Sequence, residues 1–565
     1  ITQSKAHLLV GITRHTDTLV CMSDSEEGRH LFNDNVGYLG FCLETQANVI
    51  PHDAEKFDLI SPVSSTTIHA QCPVDKNVIS FDPPSVVGIF TRTLKPTTEV
   101  ISGINDTELP AADSEIKIVT GAFTAAELTK YVRRFPGPHF GQTFRACDKV
   151  QTLNTLIKRY GDMLKNCSIS ELAEQEKILE ENYEKLYIKE WSEITEDDIQ
   201  LSIAEYAESI KEKNQTELMR EFELQRKEYN TQFMLKDQTK AKLKESIVTS
   251  GKAGQGIGAW NKSFNTYFCV YFRAAERAIL RSHHDWVIYT NGFDDHRFWQ
   301  RIRANYNPKA VTFENDFTEF DSCQSEPMLN VNARIYERVG MPHNLVYKWR
   351  LHRSLRTMVS PGFCKMQVAF KKDSGEPATL IDNTEVNKHL LSVIFEIVNP
   401  TLIALKGDDS CIQAESVTIK PQFEKMCNKL GIKTKIKSSL VPQFCAHFIS
   451  KNGIFIDIPS RALKLLTRTF LSDSEPFAHR EREFHDFKIA VADWLKCFST
   501  QHEVDEAVAL AVEYYKDDFK FAEEEVKLMV QFLYSFANPN FTYLNFRSYT
   551  MLEYDFILNS RRNNK

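Results

Sequence analysis

Two adjacent aspartates, Asp408 and Asp409, follow Gly407 between the apolar runs Leu402-Ile403-Ala404-Leu405 and Cys411-Ile412. Apolar, Gly-Asp-Asp, apolar predicts a β-hairpin whose tight turn presents carboxylates at its tip, because Gly and Asp tolerate turn dihedrals. Such a turn is common surface decoration unless the chain supplies partners for its carboxylates. Candidates are present. Asp316-x4-Asp321 lies in Val311–Gln324, with Asp316 ending a strand pattern. Ser374-Gly375-x3-Thr379-x3-Asn383 opens a helix on which Thr379 and Asn383 share a face. The strand Ile432–Lys437 carries Lys433 and Lys435 on one face by alternation, and sequence does not choose between them. Ser250–Lys262 is a glycine-rich basic loop whose backbone N–H groups, with Lys252 and Lys262, suit a phosphate; it runs into an aromatic helix bearing Arg273. Lys348, Arg350, His352, Arg353 and Arg356 crowd one predicted helix, Tyr347–Met358, without an acid among them, which suits a track for nucleic-acid phosphates.

The elements that must position these groups read as follows. Residues 1–24 are strand, polar turn, strand, and 25–135 form a Ser/Thr/Pro-rich linker with short strands, partly disordered. Residues 168–248 form a helical tract rich in Glu and Lys. Met366–Lys371 is a strand, and an apolar helix runs from the Ser374-Gly375 loop to Val398, stopped by Asn399-Pro400. A helix over Pro421–Leu430 is capped by Gly431, a strand covers Phe444–Ile449, and residues 460–560 are helical.

Bulk properties narrow the class. Hydrophobic content of 42% with 38 Phe implies a large core. A net charge of −7 excludes a histone-like binder but allows a locally basic channel. Twelve cysteines show neither zinc nor disulfide spacing, so reduced thiols are expected. No signal-peptide pattern or membrane-spanning run is visible, and the chain reads as a soluble piece of something longer.

The order of the motifs carries more than any one of them. Asp316-x4-Asp321, Ser374-Gly375-x3-Thr379-x3-Asn383, Gly407-Asp408-Asp409 and the lysine strand stand in the order of motifs A, B, C and D of right-hand viral polymerases, with the Lys252 loop in the place of fingertip motif F. The chain from about 140 onward therefore resembles the RNA-dependent RNA polymerases of alphavirus-like positive-strand RNA viruses. Lys252–Lys262, Phe313–Asp321 and Phe370–Thr379 look most like the hepatitis E and rubella branch, although Gly258-Ala-Trp-Asn261 departs from that branch's usual Ser-Ala-Trp-Ser. Residues Gly11–Thr16 resemble the last motif of superfamily 1 viral helicases, without any Walker A sequence to support ATPase activity.

The resemblance implies an α+β right-hand fold: fingers over about 140–310 and 343–380, an antiparallel palm about 305–460, and a helical thumb about 460–565. A helicase remnant and linker would precede it. It implies two Mg²⁺ ions (Mn²⁺ as substitute) about 3.5–4 Å apart, held by Asp316 and Asp408 with Asp409 auxiliary. Asp321 with Asn383 would read the ribose 2′-OH. Ser374, Gly375 and Thr379 would shape the nucleotide pocket, Lys252 and Lys262 would hold the triphosphate, and Lys435 (or Lys433) would protonate pyrophosphate. Implied partners are RNA template and product, NTPs, and the upstream helicase and capping domains of one polyprotein. Localisation would be host cytoplasm, with membrane association only indirect. The competing readings are a reverse transcriptase, an NTPase or helicase, which fits only residues 1–24, and a non-catalytic RNA-binding scaffold.

Overall fold

The computed structural model describes residues 9–12, 19–22, 116–118, 132–134, 143–145, 149–161, 168–211, 230–236, 255–260, 262–289, 295–466, 477–517 and 520–543. The chain divides into two units, residues 1–80 with 200–226, and residues 81–199 with 227–565. In the first, β1 (Leu9–Ile12) and β2 (Leu19–Met22) pair antiparallel, matching the two expected strands. Every candidate site residue belongs to the second.

The second unit begins with β3 (Ile116–Ile118) and the hairpin β4 (Val132–Arg134)–β5 (Thr143–Arg145). Helices α1 (Lys149–Tyr160), α2 (Ile169–Glu180), α3 (Tyr183–Tyr187) and α4 (Glu196–Lys211) follow, α4 running across the boundary between the units. Ser168 and Glu171 start α2 with a reciprocal cap: the Glu171 N–H donates to Ser168 Oγ at 3.3 Å, and the Ser168 N–H donates to Glu171 Oε2 at 2.8 Å. Then come β6 (Asn230–Lys236), β7 (Gln255–Ala259), α5 (Lys262–Ser282), β8 (Val287–Tyr289), α6 (Asp295–Asn305) and β9 (Thr312–Phe317). One-turn α7 (Phe320–Cys323) leads to α8 (Glu326–Arg338), α9 (His343–Ser354), β10 (Arg356–Ser360), β11 (Cys364–Val368) and α10 (Thr379–Ile394). The long hairpin β12 (Phe395–Lys406)–β13 (Asp409–Ile419) is followed by α11 (Phe423–Lys429), β14 (Thr434–Ser439), β15 (Gln443–Phe444), β16 (His447–Ile449) and β17 (Ile454–Ile456). Four helices, α12 (Ile458–Leu466), α13 (Phe477–Leu495), α14 (Gln501–Tyr514) and α15 (Glu523–Ala537), close the described chain.

Two five-stranded sheets organise the site. The central sheet has the order β14-β9-β13-β12-β8 and is antiparallel except at its edge, where β8 runs parallel to β12. The lateral sheet has the order β3-β11-β10-β6-β7 and contains one parallel pair, β6 with β10. Helix α10 is buried from Ile381 to Ile394. The C-terminal helices share a core of Ile458, Leu465, Ala507, Val526, Leu533 and Phe536. Each large apolar side chain buried there contributes roughly 1.5–3 kcal/mol, so burial dominates the stability of this region.

Several boundaries differ from the sequence expectation. The helix foreseen to Val398 ends at Ile394, because Phe395-Glu396-Ile397-Val398 alternates buried and exposed and pairs with Ser416–Ile419 as a strand. Pro400 interrupts that strand without ending it: the register shifts between Pro400 and Leu402, and Asn399 takes a left-handed φ of 48°. The basic helix foreseen over Tyr347–Met358 is α9 followed by β10, with Arg356 on the strand. The helical tract foreseen to residue 248 contains β6, and part of the glycine-rich loop is β7, paired antiparallel to β6. Within the stretch foreseen as linker, β3 supplies an edge of the lateral sheet by pairing with β11. The Phe444–Ile449 strand is split into β15 and β16 by Cys445 and Ala446 at positive φ.

Candidate active site

The turn between β12 and β13 is held from beneath by α10. Lys406 pairs with Asp409, leaving Gly407 and Asp408 at the tip, with Gly407 at φ 63°. The Gly407 N–H donates to Thr384 Oγ1 at 2.9 Å. One turn along the same face of α10, Asn387 Nδ2 donates to Gly407 O at 3.0 Å and Asp409 O at 3.3 Å. Thr384 and Asn387 were not singled out as site residues from the sequence. Their signal was a set of polar residues in the middle of an otherwise apolar helix.

Asp316 reaches this tip from β9. Ser410 pairs with Asn315, and on the other side of β9 Asp316 pairs with Lys435 of β14. Asp316, Asp408, Asp409, Lys433 and Lys435 are all solvent-exposed, and Lys433 lies one residue outside β14. Although the tip opens to solvent, protein atoms crowd it closely. The resulting loss of hydration, with repulsion from Asp409, Asp321 and Asp316, pushes the Asp408 carboxyl up to about 6. Desolvation also raises Asp409; the Cys445 thiol donating to it and Lys406 nearby oppose the rise, while Asp316 adds to it. Burial pushes the Cys445 thiol up, and Asp409 reinforces the shift. Two residues before Asp316, burial pushes Glu314 up to about 7, where its carboxylate accepts from the Gln443 N–H at 2.7 Å and the Tyr514 hydroxyl at 3.2 Å.

Among the described residues no group of three or more His, Cys, Asp or Glu side chains is closed up enough to hold a metal ion by itself. The donor set nonetheless fits one kind of ion. Mutually repelling carboxylates are hard oxygen donors, and Mg²⁺ is commonly held by one or two such groups together with water and substrate phosphate.

Beside the tip, Asn383 Nδ2 donates to Asp321 Oδ1 at 2.9 Å. Gln324 Nε2 donates to Asn383 Oδ1 at 2.7 Å. The loop before α10 is docked on β7: Ala259 bridges to Gly375, and Ser374 Oγ donates to Gly256 O at 3.4 Å. Thr379 Oγ1 donates within the loop, to Asp373 O at 3.0 Å and Glu376 O at 2.8 Å, so it holds the loop's shape. Lys252 and the side chain of Lys262 lie outside the described residues; the Lys262 backbone opens α5, on which Arg273 is half-buried.

A family described as RNA dependent RNA polymerase matches residues 145–539. This chain belongs to that family. The match includes every candidate site residue and begins at the end of β5. The chain is 32% identical over 260 residues to the non-structural polyprotein pORF1 of avian hepatitis E virus, covering 45% of this chain and 16% of that protein. Against the polyprotein of a human hepatitis E virus genotype 1 isolate from Hyderabad it is 32% identical over 265 residues, covering 47% and 15%. The matched region thus spans about a sixth of these polyproteins. The crystal structure of the RNA-dependent RNA polymerase of a human picobirnavirus aligns with 53% of this chain and 61% of its own, at 12% identity and a TM-score of 0.36.

In this polymerase-family chain, two members of the expected phosphate track do other work. Arg353 and Arg356 are fully buried. Arg353 Nη1 pairs with Asp382 Oδ2 at 2.7 Å, and Arg356 Nε pairs with Asp373 Oδ2 at 2.8 Å. Lys372 joins the same buried cluster, at 2.6 Å from Asp382 and 2.7 Å from Glu376. Burial alone would raise Asp382, but Lys372 and Arg353 outweigh it and hold the carboxyl below the usual range. Arg350 Nη2 donates to Asn330 at 2.7 Å. Lys348 is partly exposed, and burial lowers its ammonium slightly from the ordinary lysine value.

Proposed function

We propose that this chain carries out template-directed RNA synthesis, joining ribonucleotides to a 3′-OH with release of pyrophosphate. The observation that carries this reading is the double role of α10. One helix holds the Gly407–Asp409 turn through Thr384 and Asn387, and presents Asn383 to Asp321. A carboxylate tip and a polar pair beside it, both anchored on one buried helix, match what nucleotidyl transfer requires, which is positioning and charge stabilisation more than covalent chemistry.

Asp316 and Asp408, with Asp409 auxiliary, would hold a pair of divalent cations, Mg²⁺ by preference or Mn²⁺. Bound there, such a pair supplies Lewis-acid stabilisation of the attacking and leaving oxygens. Asp321 and Asn383 bind the ribose 2′-OH. Ser374, Gly375 and Thr379 shape the nucleotide pocket through the docked loop, while Lys252 and Lys262 bind triphosphate. Lys435 holds a proton for the leaving pyrophosphate. Its register opposite Asp316 favours it over Lys433, which lies outside the ladder. Under this reading the central sheet is the palm, the lateral sheet belongs to the fingers, and α12–α15 form the thumb. Partners are RNA, NTPs and neighbouring domains of a viral polyprotein in the host cytoplasm, with residues 1–24 the tail of a helicase.

Primer extension on an RNA template with Mg²⁺ tests the reading. Asp408→Ala should lower NTP incorporation at least about a hundredfold, the scale of removing one major charge-stabilising group. Equal incorporation by both proteins overturns the catalytic assignment. Preference for dNTPs over NTPs would point to reverse transcription.

A further inference from the structure

A chain of buried polar groups runs from the ion cluster of α9 and α10 to the Asp321–Asn383 pair, and every link in it has a direction. Arg353 is anchored at one end by Asp382, itself held by Lys372 and by the Asn332 amide. Arg353 Nη2 donates to Phe370 O at 3.0 Å and to Gln324 Oε1 at 3.2 Å. A guanidinium has only donors, so Gln324 must turn its oxygen toward Arg353. Its NH₂ is thereby committed to the other side, where Nε2 donates to Asn383 Oδ1 at 2.7 Å. Asn383, its oxygen occupied, must turn its own NH₂ to Asp321 Oδ1 at 2.9 Å. Asp321, as a carboxylate, only accepts. Gln324, Arg353 and Asp382 are fully buried and Asn383 nearly so. Flipping either amide would therefore oppose donor to donor or acceptor to acceptor where water does not reach.

We propose that Gln324 and Arg353 are positioning residues for sugar selection: they set which end of the Asn383 amide faces the incoming nucleotide's ribose. This rests on the assignment of Asp321 and Asn383 as the ribose-binding pair. A ribose 2′-OH can donate to the Asp321 carboxylate while accepting from the Asn383 N–H. With the Asn383 amide reversed, the hydroxyl meets two acceptors and the advantage of NTP over dNTP is lost. Sugar discrimination is thus specified from outside the pocket, by an arginine on α9 that never touches substrate. The directional argument also separates Arg353 from its neighbour Arg356, whose partners Asp373, Arg353 O and Lys371 O lead away from the Asp321–Asn383 pair.

The decisive variant is Gln324→Glu. It keeps the side-chain shape and an acceptor for Arg353, but has no NH₂, so it opposes the Asn383 oxygen and competes with Asp321 for the Asn383 NH₂. The expected result is a rise of about tenfold in KM for NTPs, the value of one hydrogen bond, with the dNTP parameters little changed. Gln324→Met, which adds no charge and only removes the donor that fixes the Asn383 oxygen, should give a smaller loss of discrimination in the same direction and serves if the Glu variant does not fold. A merely structural role would lower NTP and dNTP incorporation alike, and that outcome overturns the proposal. Asn383→Ala is measured in parallel. If it erodes discrimination while neither Gln324 variant does, the positioning role falls and the ribose assignment stands. If Asn383→Ala leaves discrimination intact, the ribose assignment falls and the positioning role with it.

Discussion

Two glycines at the site are required for different reasons, and substitution separates them. A Cβ on Gly375 would stand 2.6 Å from Gly258 O and 3.1 Å from Ala259 Cα. Both are backbone atoms of the strand on which the loop is docked, so they cannot swing aside as a side chain would. Gly375→Ala must lift the loop off β7, at about 1–3 kcal/mol by analogy with overpacked cores. A lowered thermal midpoint with weaker nucleotide binding is expected; a midpoint equal to that of the unaltered protein would refute the docking argument. Gly407 has room, since its nearest neighbour would be Leu380 Cδ1 at 3.6 Å, but its φ is 63°. The cost there is backbone strain of about 1–2 kcal/mol for most residues and less for Asn. Gly407→Asn should accordingly melt above Gly407→Val, whose branched side chain tolerates that φ poorly.

At the scale of elements, the basic segment 348–356 shows why charge patterning alone misleads. Its cations have no acid nearby in sequence, which reads as a track for nucleic-acid phosphates. Their partners Asp373, Glu376 and Asp382 arrive from the loop before α10 and from α10 itself. Arg353→Met should therefore destabilise the fold by about 3–5 kcal/mol, the cost of stranding a buried carboxylate, as read from denaturant unfolding. Arg350→Ala, removing a partly exposed side chain, should unfold near the unaltered protein. Similar midpoints for both variants would contradict the ion-cluster account. The Gly-Asp-Asp hairpin was legible because turn chemistry and apolar flanks are local, and so was the face shared by Thr379 and Asn383. Strand β12 was not, because Pro400 reads as a stop and only its bulge lets the ladder continue. The carbonyl-holding role of Asn387 was hidden as well, since it depends on α10 passing beneath a turn twenty residues later.

Across the whole second unit, α10 acts as an axle whose buried polar groups bind elements distant in sequence. His389 stacks on Tyr183 at 4.3 Å, and its Nδ1–H donates to Leu179 O at 2.9 Å. Lys388 Nζ contacts His283 Nε2 at 2.7 Å and Glu385 Oε1 at 2.6 Å. Helices α2 and α3, and His283 just after α5, are thus joined to the support of the Gly407–Asp409 turn. This arrangement gives the His389 contribution to stability a pH dependence whose sign is fixed, opposite to that of Glu314 and Asp408, whose raised carboxyls favour the folded state as pH falls. Burial pushes His389 down from 6.5 to about 3, because the charged imidazolium is excluded from the interior, and His283 is lowered for the same reason. The unfolded chain takes up these protons below 6.5 while the folded chain does not. The His389 contribution is therefore fully present above 6.5 and is lost progressively as pH falls toward about 3. At pH 5 the loss from His389 alone is roughly 2 kcal/mol, following about 1.4 kcal/mol per unit below its unfolded value. Chemical denaturation at pH 7 and pH 5 should show the unaltered protein losing roughly 2 kcal/mol relative to His389→Gln, whose amide can still donate to the Leu179 carbonyl and whose own change between the two pH values reports the remaining groups. An equal change in the two proteins would mean that His389 is already exposed to protons in the folded state, and that α10 is not sealed against α2 and α3.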